Sequence, residues 1–239
     1  MGNIRIDVLN QSVALTDAQV KQACEDIQIQ ITRDFEPIWI TGAQLNFVPQ
    51  GQTPPAGGWQ MIVLDNSDQA DALGYHELTS EGLPLGKVFA KTTIEDGENW
   101  TVTLSHEILE MIVDPYTIWT SFDQTSAYSR AYSLEVADPV EDDSIGYKIN
   151  NTLVSNFVTP QWFNSSLAAN SAQFDFMKVL NMPVSLAKGG YCSYIDMSNP
   201  SAGWQQSFAD KAIDMSRSRS KARLDNREIP RDLWRKSTR

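Results

Sequence analysis

The chain has 239 residues, 41% hydrophobic and 10% aromatic, with a formal net charge of −11. That is ample apolar material for a sizeable core and too much for a disordered chain, while no apolar run approaches the roughly 20 residues that would span a bilayer. The charge is divided unevenly: residues 210–239 carry ten Lys/Arg against five Asp/Glu, whereas residues 92–147 hold twelve Asp/Glu and one base, Arg130. Crowding of one sign faces water, binds cations or meets a basic partner. The N-terminal MGNIRIDVLN lacks the basic and apolar regions of a secretory signal, and Cys24 and Cys192 are too few for a disulfide framework. Buried free thiols in a reducing cytoplasm are expected.

IRIDVL alternates as a strand does. Thr16 opens a helix with Gln19 placed to complete a capping box, and AQVKQACEDIQIQITRDF continues it to a break at Glu36-Pro37. QLNFV and WQMIVLD read as strands separated by the turn-rich PQGQTPPAGG. After a polar stretch, GKVFAKTTI reads as another strand, and TVTLSHEILEMIVDP as a helix that Pro115 ends. Strand, helix, three strands, helix is an α+β order, with helices on one face of a mixed sheet. The second half is less regular: GYKI, LVSNFVTPQWF, a helical stretch near SAQFDFMKVL, and the glycine-rich AKGGYCSYIDM. Residues 1–209 are expected to form one domain. Residues 210–239 form a basic C-terminal arm, extended or docked in trans from about Ser216 because apolar periodicity ends at Met215.

The helix SHEILEMIVDP carries the chemistry. Stepping about 100° per residue from His106 places Glu110, Thr103, Asp114 and Glu107 within about 100° of arc, and more than half of the circumference is apolar. One ordinary reading is a solvent-facing strip, although such faces normally mix signs and this one has no Lys or Arg. A second is a core histidine satisfied by Glu110. The third is a metal centre: side chains at i and i+4 lie about 5–6 Å apart at Cβ and can converge on one ion, with Glu107 beside them as a base. A further ligand must come from SLEVADPVEDD, which offers Glu135, Asp138, Glu141, Asp142 and Asp143.

S-H-E-x-x-E-x-x-x-D-P, followed by E-V-x-D-P-V-E and V-S-N-F-V-T-P, resembles a family of zincin-like metallopeptidases of bacteria and phages. The likeness extends over roughly residues 70–205 and includes GYHELTSEGLPLGKVFA and the GGY near residue 190. It implies a zincin-like fold, His106 and Glu110 as ligands, Glu135 or Asp138 completing the site, and Glu107 as the catalytic base. His76 falls in the shared pattern, and with Asp114 is expected in the second shell or on the substrate side. Glu110 stands where the zincin motif has a second histidine. A carboxylate there adds a negative charge, so a bound zinc acidifies water less, and the oxygen-rich set also suits Mn²⁺, Mg²⁺ or Ca²⁺.

Two functions follow from these residues. The first is a metal-dependent hydrolase, a peptidase holding one divalent ion, zinc foremost. The second is a non-catalytic phage structural or interaction protein on a zincin-like scaffold, docked through residues 216–239, where Trp234 sits among arginines. That arm suits an acidic protein surface or a second copy, and the acidic body argues against nucleic acid. The expected setting is cytoplasmic or virion-associated.

Overall fold

The computed structural model describes residues 4–69, 72–125 and 128–209, so the basic arm lies outside the described residues. Strand β1 (Ile4–Asn10) is followed by α1 (Asp17–Ile29), whose start is capped as expected: Thr16 Oγ1 accepts from Gln19 N–H at 3.3 Å and Gln19 Oε1 from Thr16 N–H at 2.9 Å. The helix does not break at Glu36-Pro37. A π-helical segment (Gln30–Phe35), in which Glu36 N–H donates to the Ile31 carbonyl, carries the chain past the proline into the short α2 (Glu36–Trp39). Ile40, left-handed at φ 57°, then closes the helix with its N–H on the Glu36 carbonyl.

Strands β2 (Ala43–Val48), β3 (Trp59–Leu64), β4 (Gly74–Leu78) and β5 (Pro84–Phe89) complete a mixed sheet in the order β2-β1-β3-β5-β4. All its pairs are parallel except β4, which runs antiparallel along the β5 edge. Two expectations need correction here. The polar stretch before GKVFAKTTI contains an edge strand, β4. The strand itself ends at Phe89, after which Ala90–Glu95 coils into α3.

Helix α4 (Trp100–Val113) carries the SHEILE motif. Its Leu104, Ile108, Met111 and Ile112 enter one core with Ile6, Val8, Met61, Val63 and Val88 of the sheet and Val20, Ile27 and Phe35 of the first helix and its extension. Each such side chain gains about 1.5–3 kcal/mol on leaving water, and that gain fixes the rotation of α4 and hence the direction of its polar strip.

A second sheet, antiparallel in the order β11-β10-β7-β6, is built from β6 (Thr120–Thr125), β7 (Tyr128–Ser133), β10 (Tyr191–Asp196) and β11 (Trp204–Phe208). A small hairpin pairs β8 (Tyr147–Ile149) with β9 (Thr152–Val154). The expected helix near SAQFDFMKVL is absent. Asp175 accepts the N–H groups of Val179 (3.1 Å) and Leu180 (2.7 Å), and Lys178 adopts φ 59°, so side-chain bonding replaces the helical ladder. Among the described residues no helix is long and apolar enough to cross a membrane. Cys24 and Cys192 are buried and not bonded to each other.

Candidate metal centre

The polar strip of α4 does not face solvent. Thr103, His106, Glu107, Glu110 and Asp114 are all at 0% exposure, which removes the solvent-face reading. Two pieces of chain cover it. The edge strand β4 brings His76, whose Nδ1 is 3.4 Å from Glu107 Oε2. The segment that leaves β7 brings Glu135, Asp138 and Glu141. It is tied to the helix by Glu110 Oε1, which accepts the N–H groups of Ala137 (3.1 Å) and Asp138 (3.3 Å).

Two glycines permit these approaches. A Cβ on Gly74 would lie 2.8 Å from Thr103 Cγ2 and 3.1 Å from Glu107 Cγ, so β4 can lie this close to α4 only with glycine there. A Cβ on Gly190 would lie 2.2 Å from the Pro139 carbonyl oxygen, where β10 enters beneath the acidic segment.

The donor atoms converge on His106. Its Nε2 lies 3.1 Å from Glu110 Oε2 and 3.2 Å from Asp138 Oδ1, so two carboxylate oxygens face a nitrogen that carries at most one hydrogen. That is one carboxylate more than a core histidine satisfied by one glutamate has. Two ligands bound at 2.0–2.2 Å sit roughly 2.8–3.6 Å apart at angles between octahedral and tetrahedral, and both spacings fall inside that range. Glu141 adds an oxygen within 4.8 Å of the His106 and Asp138 donors; the residue is partly exposed but its Oε2 is buried. Glu107 likewise offers an oxygen within 4.8 Å of donors from His106 and Glu110.

The remaining expected residues divide. Glu135, 3% exposed, lies on the His76 side: its Oε2 is 4.0 Å from His76 Nε2, and His76, Glu110 and Glu135 offer donors within 4.8 Å of one another. His76 Nε2 also lies 3.1 Å from the Asp114 carbonyl oxygen. The Asp114 side chain turns elsewhere, its Oδ1 accepting the N–H groups of Ile118 and Trp119 at 3.0 Å each. Asp142 and Asp143 are used elsewhere, Asp142 accepting locally from Ser144 N–H (2.8 Å) and Asp143 from Asn99 N–H (2.6 Å) at the start of α4. The backbone groups in this set, the Asp114 carbonyl and the Ala137 and Asp138 amides, carry no residue-type signature and were invisible to sequence reasoning. Gly74, two residues before His76 on the same face of β4, was the available signal of close approach.

Burial alone would strip His106 of its proton, but the charges and contacts of Glu110 and Asp138, with Glu107 beyond, outweigh it and push its pKa up to about 10. In the absence of a cation the cluster therefore holds a proton on His106. A divalent ion bound there must displace that proton, as metal ligands require. No protein-family model matches the chain, and neither a curated protein nor a solved structure does.

Proposed function

We propose that this protein is a divalent-metal-dependent hydrolase of the zincin type, with peptide bonds as its substrate class. The observation that carries the reading is His106 Nε2, wholly buried and flanked at 3.1 and 3.2 Å by carboxylate oxygens of both Glu110 and Asp138. Those three residues would hold the ion, with Glu141 in reach as a fourth donor. One imidazole among carboxylates accepts zinc and also suits the harder Mn²⁺, Mg²⁺ or Ca²⁺. A bound ion supplies Lewis acidity and a positive charge where negative charge develops in the reaction.

Glu107 is the proton carrier. It is next in sequence to His106 but swung round α4, and its Oε2 faces His76 Nδ1 at 3.4 Å, which orients the carboxylate. It takes a proton from the attacking water and returns it to the leaving amine. Glu110 Oε1, tied to the amides of Ala137 and Asp138, keeps the segment bearing Asp138 against the helix.

A second reading is favoured by one observation: His76, His106, Glu107, Glu110, Glu135 and Asp138 are all 3% exposed or less. Closed sites are typical of structural metals, whereas catalytic ones keep an open position. On that reading the ion fastens a zincin-like scaffold of a phage structural protein, and residues 216–239 dock on an acidic partner or another copy. Elemental analysis of the purified protein, followed by Glu107→Gln, separates the two. In a hydrolase the variant keeps its metal and loses about 10²–10⁴-fold in turnover of a quenched peptide library; in a scaffold it is silent. A protein that carries no ion and melts at the same temperature with and without chelator overturns both readings.

A further inference from the structure

The donors are too many for one ion, and they divide. His106, Asp138 and Glu141 form one group of donors mutually within 4.8 Å, His76, Glu110 and Glu135 form another, and His106, Glu107 and Glu110 between them form a third that shares a member with each. Each has one imidazole and two carboxylates. The first two groups touch through His106 and Glu110, 3.1 Å apart, and they flank Glu107, which has His76 on one side and His106 and Glu110 on the other.

We propose that the centre holds two divalent ions, one in each of the first two groups, with Glu110 the carboxylate that joins them. This rests on the metal-centre reading above and goes beyond it in number and in ligands. Charge supports it. The cluster gathers five carboxylates, Glu107, Glu110, Glu135, Asp138 and Glu141, around two imidazoles. Gathering buried like charges is costly unless cations are present. One divalent ion leaves three formal negative charges, and two leave a single one, the charge of the base Glu107.

Geometry supports it as well. Ligands of one ion must gather around one point, and Glu135 stands by His76 rather than by His106. The 4.0 Å between His76 Nε2 and Glu135 Oε2 is too long for a hydrogen bond and a few tenths of an ångström beyond the roughly 2.8–3.6 Å span of two ligands held at 2.0–2.2 Å, so the two close slightly on an ion there. His76 Nε2 donates to the Asp114 carbonyl oxygen at 3.1 Å, so an ion in the second group takes the place of that hydrogen and gains the carbonyl as a neutral donor. Paired ions of this kind sit about 3.5–4 Å apart and clamp the attacking and leaving atoms of a hydrolytic reaction. His76 thereby becomes a ligand through Nε2 while its Nδ1 still faces Glu107.

The test loads metal-stripped full-length protein with Zn²⁺ alone or Mn²⁺ alone and counts ions per chain after removal of excess. Two ions per chain are expected, and in the Mn²⁺ form a spin-coupled resonance spectrum. Glu135→Gln and His76→Gln are expected to hold one ion and to give the spectrum of isolated Mn²⁺. Saturation of the wild-type protein at one ion overturns the pair and leaves the single-ion reading standing, whereas no bound ion overturns both. The wild-type count needs no variant, so misfolding of either substitution does not rescue the proposal. If Glu135→Gln and His76→Gln both fold and retain two ions with the coupled spectrum, the assignment of the second group is wrong.

Discussion

Replacing Glu110 by glutamine removes one charge and little else. The Gln amide oxygen can still accept the N–H groups of Ala137 and Asp138, now bonded to Glu110 Oε1 at 3.1 and 3.3 Å, while an NH₂ replaces the oxygen that faces His106 Nε2 at 3.1 Å. Glu110→Ala removes both halves. It leaves two amides without their acceptor in a buried place, at about 1–3 kcal/mol each, so the metal-free protein should lose about 2–6 kcal/mol. At about 2–4 °C per kcal/mol for a chain of this size, the loss lowers Tm by roughly 4–24 °C. Glu110→Gln keeps those backbone bonds and should be more stable than the alanine variant when metal-free, losing only the attraction of the carboxylate for the protonated His106. Both variants should bind metal far more weakly than the 10–100-fold loss typical of an altered outer partner, because a donor atom itself has gone. Scanning calorimetry of chelated samples and competition with a metallochromic indicator read the two effects separately. A Glu110→Gln protein with wild-type affinity refutes the ligand role. An alanine variant as stable as the glutamine one refutes the strap role.

Gly74→Ala would force a Cβ to within 2.8 Å of Thr103 Cγ2 and so push β4 off α4; a loss of about 1–3 kcal/mol is expected, together with slower peptide turnover as His76 leaves Glu107, and an unchanged melt contradicts the packing. Burial pushes the Cys24 and Cys192 thiols up to about 12, so iodoacetamide should label neither in the native protein near neutral pH and both after denaturation. His106 sets a pH dependence: in the metal-free protein its raised pKa adds stability that is complete below the ordinary 6.5 and is lost as pH climbs through about 10. Because an ion must displace that proton, its affinity should rise by up to about tenfold per pH unit over that window, widening the Tm gap between loaded and stripped protein; a gap that narrows as pH rises contradicts the assignment.

The α+β order and the strip on α4 were legible because their signals are local. Alternation marks β1, a capping pair marks the start of α1, and a 3.6-residue period puts His106 and Glu110 on one side of α4. What escaped was set by distant contacts. GYHEL lacks an apolar face of its own and became β4 by pairing with β5 (His76 opposite Gly86), so no periodicity announced it. AKTTI is β-branched enough to pass for strand, yet Ala90–Glu95 is helical, with Thr93 Oγ1 donating back to the Phe89 carbonyl at 2.8 Å. SAQFDFMKVL has helical spacing, but Asp175 holds its amides and takes Asn156 Nδ2 at 2.8 Å from far upstream. Within the site, residue types pointed to His106, Glu110, Asp138 and Glu135 together. Only the fold separated Glu135 toward His76 and turned the side chain of Asp114 away to cap the following turn.

That separation bears on how the molecule holds together. The donors come from three parts of the chain that meet only in the folded state: His76 on an edge strand, His106 to Glu110 on a core helix, and Glu135 to Glu141 on the segment after β7. In the unfolded chain they are dispersed, so an ion bound to the cluster stabilises the native state by nearly its whole binding free energy, about 4 kcal/mol when it exceeds its Kd a thousandfold. The cost of collecting five carboxylates is incurred at the same moment, and it falls on the contacts between these three parts. The apolar core beneath α4 is untouched by it, because Leu104, Ile108, Met111 and Ile112 bury themselves on the opposite side of the helix whatever the strip contains. Removal of metal should therefore loosen β4 and residues 134–141 before it loosens the parallel strands. Amide hydrogen exchange should speed up first at Ala137 and Asp138, whose N–H groups rest on Glu110, while Val8 and Met61 in the central strands stay protected. Equal acceleration across the whole sheet would mean that the cluster is an integral part of the core and not a clasp laid across it.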